Sequence, residues 1–224
     1  MVEDRAERRL TTILAADVVG YSRLMAADEP GTLTSLKALR RELIEPKTAE
    51  YRGRVVKLMG DGTLMEFGSV VDAVAFAVEV QRAMALRNAD VPEDQRITYR
   101  IGINIGDIIV EGEDIYGDGV NVAARLEGLA DPGGVCVSRT VFSHVKGKVK
   151  LDFEDLGEQE VKNIPEPVQV FKVLLEAPVT EDVVPASAMA KRPPRWPVIA
   201  GGLAVLAIVA GIALWQRPWE PREE

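Results

Sequence analysis

The chain has 224 residues and a net charge of −8 from 27 Lys and Arg against 35 Asp and Glu. That acidic balance excludes generic nucleic-acid binding, which needs a basic surplus to neutralise phosphates. One cysteine, Cys136, and one histidine, His144, exclude an internal disulfide and a zinc site of the usual ligand types. They also leave little room for Ser-His-Asp or Cys-His chemistry, so any catalysis falls to carboxylates, Lys, Arg and a hard metal ion.

Helical and strand patterns alternate along the chain. Met1 to Arg9 is charged, carries no apolar run, and reads as an extension without a secretory signal. Leu10 to Val19 is apolar and β-branched, a buried strand. Leu33, Leu36, Leu39, Leu43 and Ile44 fall on one helical face that is ended or kinked at Pro46. Arg54 to Phe67 reads as two short strands around Gly60-Asp61-Gly62, a hairpin signal. A helix over Val70 to Leu86 follows, then a second hairpin over Ile97 to Val110 turning near Gly106-Asp107, then a helix from about Val120 to Leu129. Strands are expected near Val135–Ser138, Lys150–Asp155 and Val168–Leu174, with Cys136 a buried small hydrophobe in the first of them. Strands interleaved with helices and hairpins suggest an α+β sandwich of the ferredoxin-like, βαββαβ kind over residues 10–176.

The chain beyond this domain has a different character. Residues 177–197 are rich in Pro, Ala and Val and read as a linker. Val198 to Trp215 is an uncharged run that would span about 27 Å as a helix, close to the hydrocarbon thickness of a bilayer. A buried core helix is the alternative, but Trp196, Trp215 and Trp219 sit at its edges, where interfacial tryptophans belong. Lys191, Arg192 and Arg195 precede the run, which places that side in the cytoplasm and leaves 216–224 as a short tail outside. The expectation is a single-pass protein of the inner (plasma) membrane with its folded domain in the cytoplasm.

Three segments carry candidate chemistry. Asp17 closes the apolar strand, and a charge there is expensive unless paired or bound to a cation. Val18-Val19-Gly20-Tyr21-Ser22 follows, able to offer backbone N–H groups and a hydroxyl to phosphate. Asp61 sits at a hairpin tip, where Asp-Gly is also an ordinary turn. Two carboxylates from neighbouring strand ends could hold Mg²⁺ beside substrate phosphates. In Asp114 to Arg125, Asn121 and Arg125 are spaced i, i+4 and point one way on a helix, with small or apolar residues between them. That face either holds an anion or is ordinary solvated surface.

Asp17 to Ser22, Lys57-Leu58-Met59-Gly60-Asp61-Gly62 and Asp114 to Arg125, in that order and spacing, resemble the class III adenylate/guanylate cyclase catalytic domain from about Arg8 to Leu175. The resemblance implies that Asp17 and Asp61 bind two Mg²⁺ or Mn²⁺ ions, one activating the ribose 3′-hydroxyl and the other holding the triphosphate. It implies that Val18 to Ser22 touch phosphate, that Lys57 and Asp114 read the base, and that Asn121 orients the ribose. Arg125 would neutralise charge developing on the α-phosphate, and Lys162, in Val161-Lys162-Asn163-Ile164, would bind the terminal phosphates. The family's sites lie at a head-to-tail dimer interface. Since this chain carries both halves, a homodimer with two equivalent sites is implied.

The base-reading pair has its own logic. A lysine ammonium only donates and a carboxylate only accepts, so Lys57 on N1 and Asp114 on N6 satisfy adenine. Guanine reverses both groups. Mispairing of this sort supports discrimination of up to ~10⁴-fold, and ATP is the expected substrate. The implied reaction is intramolecular attack of the 3′-oxygen on the α-phosphorus, with pyrophosphate leaving and cyclic AMP formed. Positioning and electrostatics would carry it without a protein nucleophile. A guanylate cyclase and a catalytically silent cyclase-like module at the membrane are the rival readings.

Overall fold

The computed structural model describes residues 7–160 and 166–175. Its spine is an antiparallel pair of long strands, β1 (Glu7–Val18) and β4 (Tyr99–Glu111), in register from Glu7 opposite Val110 to Val18 opposite Tyr99. On the far side of β1 lies β3 (Gly62–Phe67), which forms a hairpin with β2 (Gly53–Met59). The loop of that hairpin is Gly60-Asp61, with Gly60 at φ +68°, as two-residue turns with a leading glycine favour. The sheet continues past β4 through β6 (Val135–Ser138) and β8 (Val168–Leu174) to β7 (Asp152–Gln159), in the order β2-β3-β1-β4-β6-β8-β7. Only the β4–β6 pairing is parallel. The first four strands, with helices after β1 and after β3, realise the expected βαββαβ arrangement.

Alternation along β1 decides what each face of the sheet covers. Leu14, Ala16 and Val18 enter a large core with Tyr99, Ile101 and Ile103 of β4. That core is closed by α2 (Glu29–Leu39), α4 (Val70–Arg87) and α6 (Arg139–Val145). Ser69 caps α4 by accepting from the Asp72 N–H at 3.3 Å. Ile13 and Ala15 point the other way, where they meet Ile108, Ile115 and Ala123 beneath α5 (Asp118–Leu129). Cys136 is buried with Leu126, Ala130 and Val170, as expected of a small hydrophobe.

Helix α5 lies on β4 at backbone contact. A Cβ placed on Gly102 would stand 2.2 Å from both the Ala123 carbonyl oxygen and the Glu127 nitrogen, and one on Gly106 would stand 2.6 Å from the Gly119 Cα. Asn104, between them on the same face, donates to the Gly119 carbonyl at 3.2 Å. This close approach corrects one sequence expectation. Ile97 to Val110 is not a hairpin turning at Gly106-Asp107. Gly106 marks helix contact, β4 runs straight through it, and the turn comes at Gly112 (φ +62°) into the short β5 (Asp114–Tyr116).

The helical run before Pro46 also differs from expectation. It does not end there: a wide π turn over Arg40–Ile44 leads directly into α3 (Glu45–Glu50), and Pro46 follows that turn. Two short helices carry no clear sequence period, α1 (Tyr21–Ala27) and α6. Lys162, the linker 177–197, the apolar run 198–215 and the tail 216–224 lie outside the described residues. Among the described residues no helix is long and apolar enough to cross a membrane.

Because α5 touches β4 through glycine, Gly102→Ala is expected to overpack the contact and destabilise the domain by about 1–3 kcal/mol. Denaturant unfolding measures this. A variant as stable as the parent would mean that the helix can lift away freely.

Candidate active site

Asp17 closes β1 on the α5 side of the sheet. The β1–β3 register sets Ala16 opposite Thr63, which brings the β2–β3 turn and Asp61 beside it. Burial, reinforced by the negative charge of Asp17, pushes the Asp61 carboxyl above its ordinary value. On the other side, β4 sets Arg100 directly opposite Asp17, and Arg100 Nη2 donates to Asp17 Oδ2 at 3.0 Å. The guanidinium is shared: its Nε lies 3.2 Å from Glu127 Oε1 on α5. Both of those atoms are buried and neither has an aligned hydrogen bond, so the contact is an ion pair of charges rather than a fitted bond.

Two adjacent carboxylates, one held back from ionising by burial and by the charge of the other, are a donor set that suits a hard divalent cation. Among the described residues no third Asp, Glu, His or Cys joins them as a ligand. Water and the oxygens of a bound anion would have to complete such a coordination shell, which fits an ion that arrives with a phosphorylated substrate.

The loop after Asp17 is only partly available to a ligand. Val18 pairs with Tyr99 in the sheet and its side chain is buried. The Val19 N–H is spent on the Thr98 carbonyl at 2.8 Å. Gly20 turns the chain at φ +67°, and its carbonyl accepts from Arg23 and Leu24 to open α1. Tyr21 and Ser22 therefore supply the first-turn N–H groups, which a helix leaves without an internal partner. A cavity of about 280 Å³ lies beside Tyr21, Gly60 and Asp61 and reaches the cations Lys37 and Arg40, which sequence reading did not single out.

Lys57 and Asp114 meet although they are 57 residues apart: Lys57 Nζ donates to Asp114 Oδ2. Each charge favours the other, raising the lysine and lowering the carboxyl from their ordinary values. Asp114 also accepts from the Ile115 N–H at 3.0 Å and from the Tyr116 hydroxyl at 3.1 Å. A buried carboxylate supports this hairpin from below. Glu66 takes Arg9 Nη1 at 2.8 Å and Arg54 Nη2 at 2.8 Å, while Arg54 Nη1 donates to the Glu113 carbonyl at 2.9 Å. Burial alone would raise Glu66, but the hydrogen bond from Arg54 and the charge of Arg9 outweigh it and hold the carboxyl low.

Asn121 and Arg125 are both exposed on α5, as their spacing requires, with Ala123 and Leu126 buried beneath them. The predicted residues thus fall into groups. Asp17, Asp61 and the Tyr21–Ser22 amides gather at one end of the β1–β4 ladder. Asp114 pairs with Glu111 at the other end of β4, and the Lys57 side chain reaches it from β2, where Lys57 stands opposite Leu64. Arg100 and Glu127 were missed in the sequence. An arginine inside Tyr99-Arg100-Ile101 was the available signal, but its partners depend on strand register and on where α5 crosses.

Residues 5–175 match the family model described as the adenylate and guanylate cyclase catalytic domain. A Rhizobium meliloti (strain 1021) protein provisionally named adenylate cyclase 3 is 49% identical over 88% of this chain and 33% of its own length. The chain spans a third or less of the length of the first curated relatives it matches. Among solved structures, an adenylate/guanylate cyclase/hydrolase from Silicibacter pomeroyi is 51% identical with a TM-score of 0.72, covering 75% of this chain and 98% of that one. The adenylyl cyclase CyaB from P. aeruginosa shares the fold at 24% identity and a TM-score of 0.66, over 75% of this chain and 95% of its own.

The charge cluster has a consequence for stability. Burial first, then the charges of Asp17 and Asp61, push Glu127 from 4.5 up to about 7 against the pull of Arg100. Below pH 4.5 the carboxyl is protonated whether the chain is folded or not. Between 4.5 and 7 the folded form holds more protons, so stability falls as pH rises, and above 7 the full loss is in place. Glu127→Gln is expected to remove this fall, gaining on the order of 1–3 kcal/mol over the parent at pH 8 and nothing at pH 4. Unfolding free energies across that range test it, and parallel pH profiles for the two proteins would contradict it.

Proposed function

This chain belongs to the adenylate and guanylate cyclase catalytic domain family, and we propose that it is an adenylate cyclase that converts ATP to 3′,5′-cyclic AMP and pyrophosphate. The observation that carries the choice of ATP is the pairing of Lys57 with Asp114. A donor that cannot accept stands beside an acceptor that cannot donate, as the N1 and N6 positions of adenine require and as guanine does not. The name of the Rhizobium meliloti relative points the same way.

The residues take distinct parts in this reading. Asp17 and Asp61 hold Mg²⁺ or Mn²⁺, two ions per site. When bound, the ions supply Lewis-acid activation of the 3′-hydroxyl and neutralise the triphosphate. The Tyr21 and Ser22 amides at the start of α1 face phosphate, and Lys162 binds the terminal phosphates. Asn121 orients the ribose. Arg125, one helical turn further along α5, sits where charge grows on the α-phosphate, and a preplaced guanidinium stabilises the transition state more than the ground state. No side chain forms a covalent intermediate.

The sites lie between two copies of the chain. Support comes from the separation along the β1–β4 ladder: Asp17 faces Arg100 at one end and Asp114 hangs from Glu111 at the other. Support also comes from the exposure of Asn121 and Arg125 and of Tyr116 beside Lys57 and Asp114. In a head-to-tail homodimer the metal end of one protomer meets the base-reading end of its partner, giving two equivalent sites. The apolar run 198–215 completes the proposal as a single membrane anchor, with the catalytic domain on the cytoplasmic side of the inner membrane.

Incubating the full chain with ATP or GTP, and with Mg²⁺ or Mn²⁺, should yield cyclic AMP as the principal product; a cyclic GMP product would overturn the base assignment. Asp17→Ala and Arg125→Ala are each expected to lower kcat by at least ~10²-fold. Mixing the two inactive proteins should restore activity, because each mixed dimer keeps one intact site, and no recovery would argue against shared sites. Lys57→Glu combined with Asp114→Ser should move the kcat/KM preference toward GTP. Undiminished ATP selectivity in that variant would remove the base-reading roles.

A further inference from the structure

Arg100 and Glu127 are an ionisable pair, largely buried, and unused by the reaction as proposed. Their side chains are 31% and 15% exposed, and the Asp17 side chain is 26% exposed. Buried charges persist only where they are paired. Here one guanidinium serves two carboxylates: Nη2 bonds Asp17 at 3.0 Å and Nε lies 3.2 Å from Glu127. The sharing is forced by the fold. Register fixes Arg100 opposite Asp17. Gly102, two residues along the same strand, admits the α5 backbone at the Glu127 nitrogen. That contact pins the Glu127 side chain above Arg100.

We propose that Glu127 is a positioning residue for the metal-binding carboxylate. By holding the inner nitrogen of Arg100 from α5, it divides the positive charge of the guanidinium between two acids and leaves Asp17 able to accept a cation. Without Glu127 the whole charge of Arg100 falls to Asp17, and an arriving divalent ion must displace it. The proposal rests on the assignment of Asp17 to the metal. It also makes one helix answer to both sites of the proposed dimer: α5 contacts the metal end of its own protomer through Glu127 while Asn121 and Arg125 serve the other site.

The test uses the full chain without nucleotide at pH 8, titrated with Mn²⁺ and read by the electron paramagnetic resonance signal of the free ion. Glu127→Gln, which keeps the shape and removes the charge, is expected to weaken Mn²⁺ binding about tenfold, the lower end of what disturbing the groups behind a metal ligand costs. Glu127→Asp should recover part of the loss. Adding Arg100→Gln to Glu127→Gln should return binding toward the parent, because the competing cation is gone. A Glu127→Gln protein with unchanged Mn²⁺ affinity would reduce the residue to packing, whatever its melting temperature. A double variant as weak as Glu127→Gln alone would rule out the route through Arg100. Undiminished Mn²⁺ binding by Asp17→Asn would instead bring down the metal assignment itself, and this proposal with it.

Discussion

The placement of Asn121, Arg125 and Glu127 hangs from the contact between α5 and β4. The helix is laid on the strand with no side chain between the two backbones at Gly102 and only glycine on both sides at Gly106 and Gly119. Interiors packed at crystal density transmit such constraints rigidly. The closeness sets which residues of α5 look outward, and Asn121 and Arg125 are exposed because Ala123 and Leu126 are pressed inward. It also brings the helix far enough down for Glu127 to reach Arg100. A larger residue on β4 would lift the helix and misplace both groups together.

Charge compensation is the second constraint. The Asp17 end of the sheet concentrates Asp17, Asp61 and Glu127 around the guanidinium of Arg100. Three acids and one base leave an acidic surplus in a partly buried place, which shows in the raised Asp61 and Glu127 carboxyls. Such a cluster is unfavourable by itself and becomes favourable when cations arrive, so the protein carries the imbalance where the proposed chemistry uses it. The other end of the ladder is the opposite case. Glu66 is matched by Arg9 and Arg54, and Lys57 by Asp114, which suits the base-reading role proposed for that pair.

Much of this was legible in the chain. An apolar, β-branched run exposed β1, helical spacing exposed α4, and the paired glycines around Asp61 announced the β2–β3 hairpin, because these signals are local. The βαββαβ plan followed from their order. Local signals misled where a residue's reason was remote. Gly106-Asp107 has the composition of a turn, yet Gly106 is there for a helix that crosses it, and the real turn at Gly112 has less distinctive neighbours. Pro46 reads as a helix end, but a π turn ahead of it lets the chain stay helical.

The sequence by itself determined the family, the α+β order and the identity of the candidate groups, since residue type and spacing suffice to say that carboxylates, an amide and a guanidinium are present on strand ends and one helical face. Which of them touch was decided only by the tertiary structure. Lys57 meets Asp114 across 57 positions because the fold brings β5 beside β2. Val19, offered to phosphate on sequence grounds, is already bonded to Thr98. Arg100 and Glu127 stand out from no local pattern, and they matter only because antiparallel register and a helix laid against glycine place both beside Asp17. Contacts of this kind depend on strand register and helix crossing, which arise from packing the whole sheet, and no window of neighbouring residues contains them.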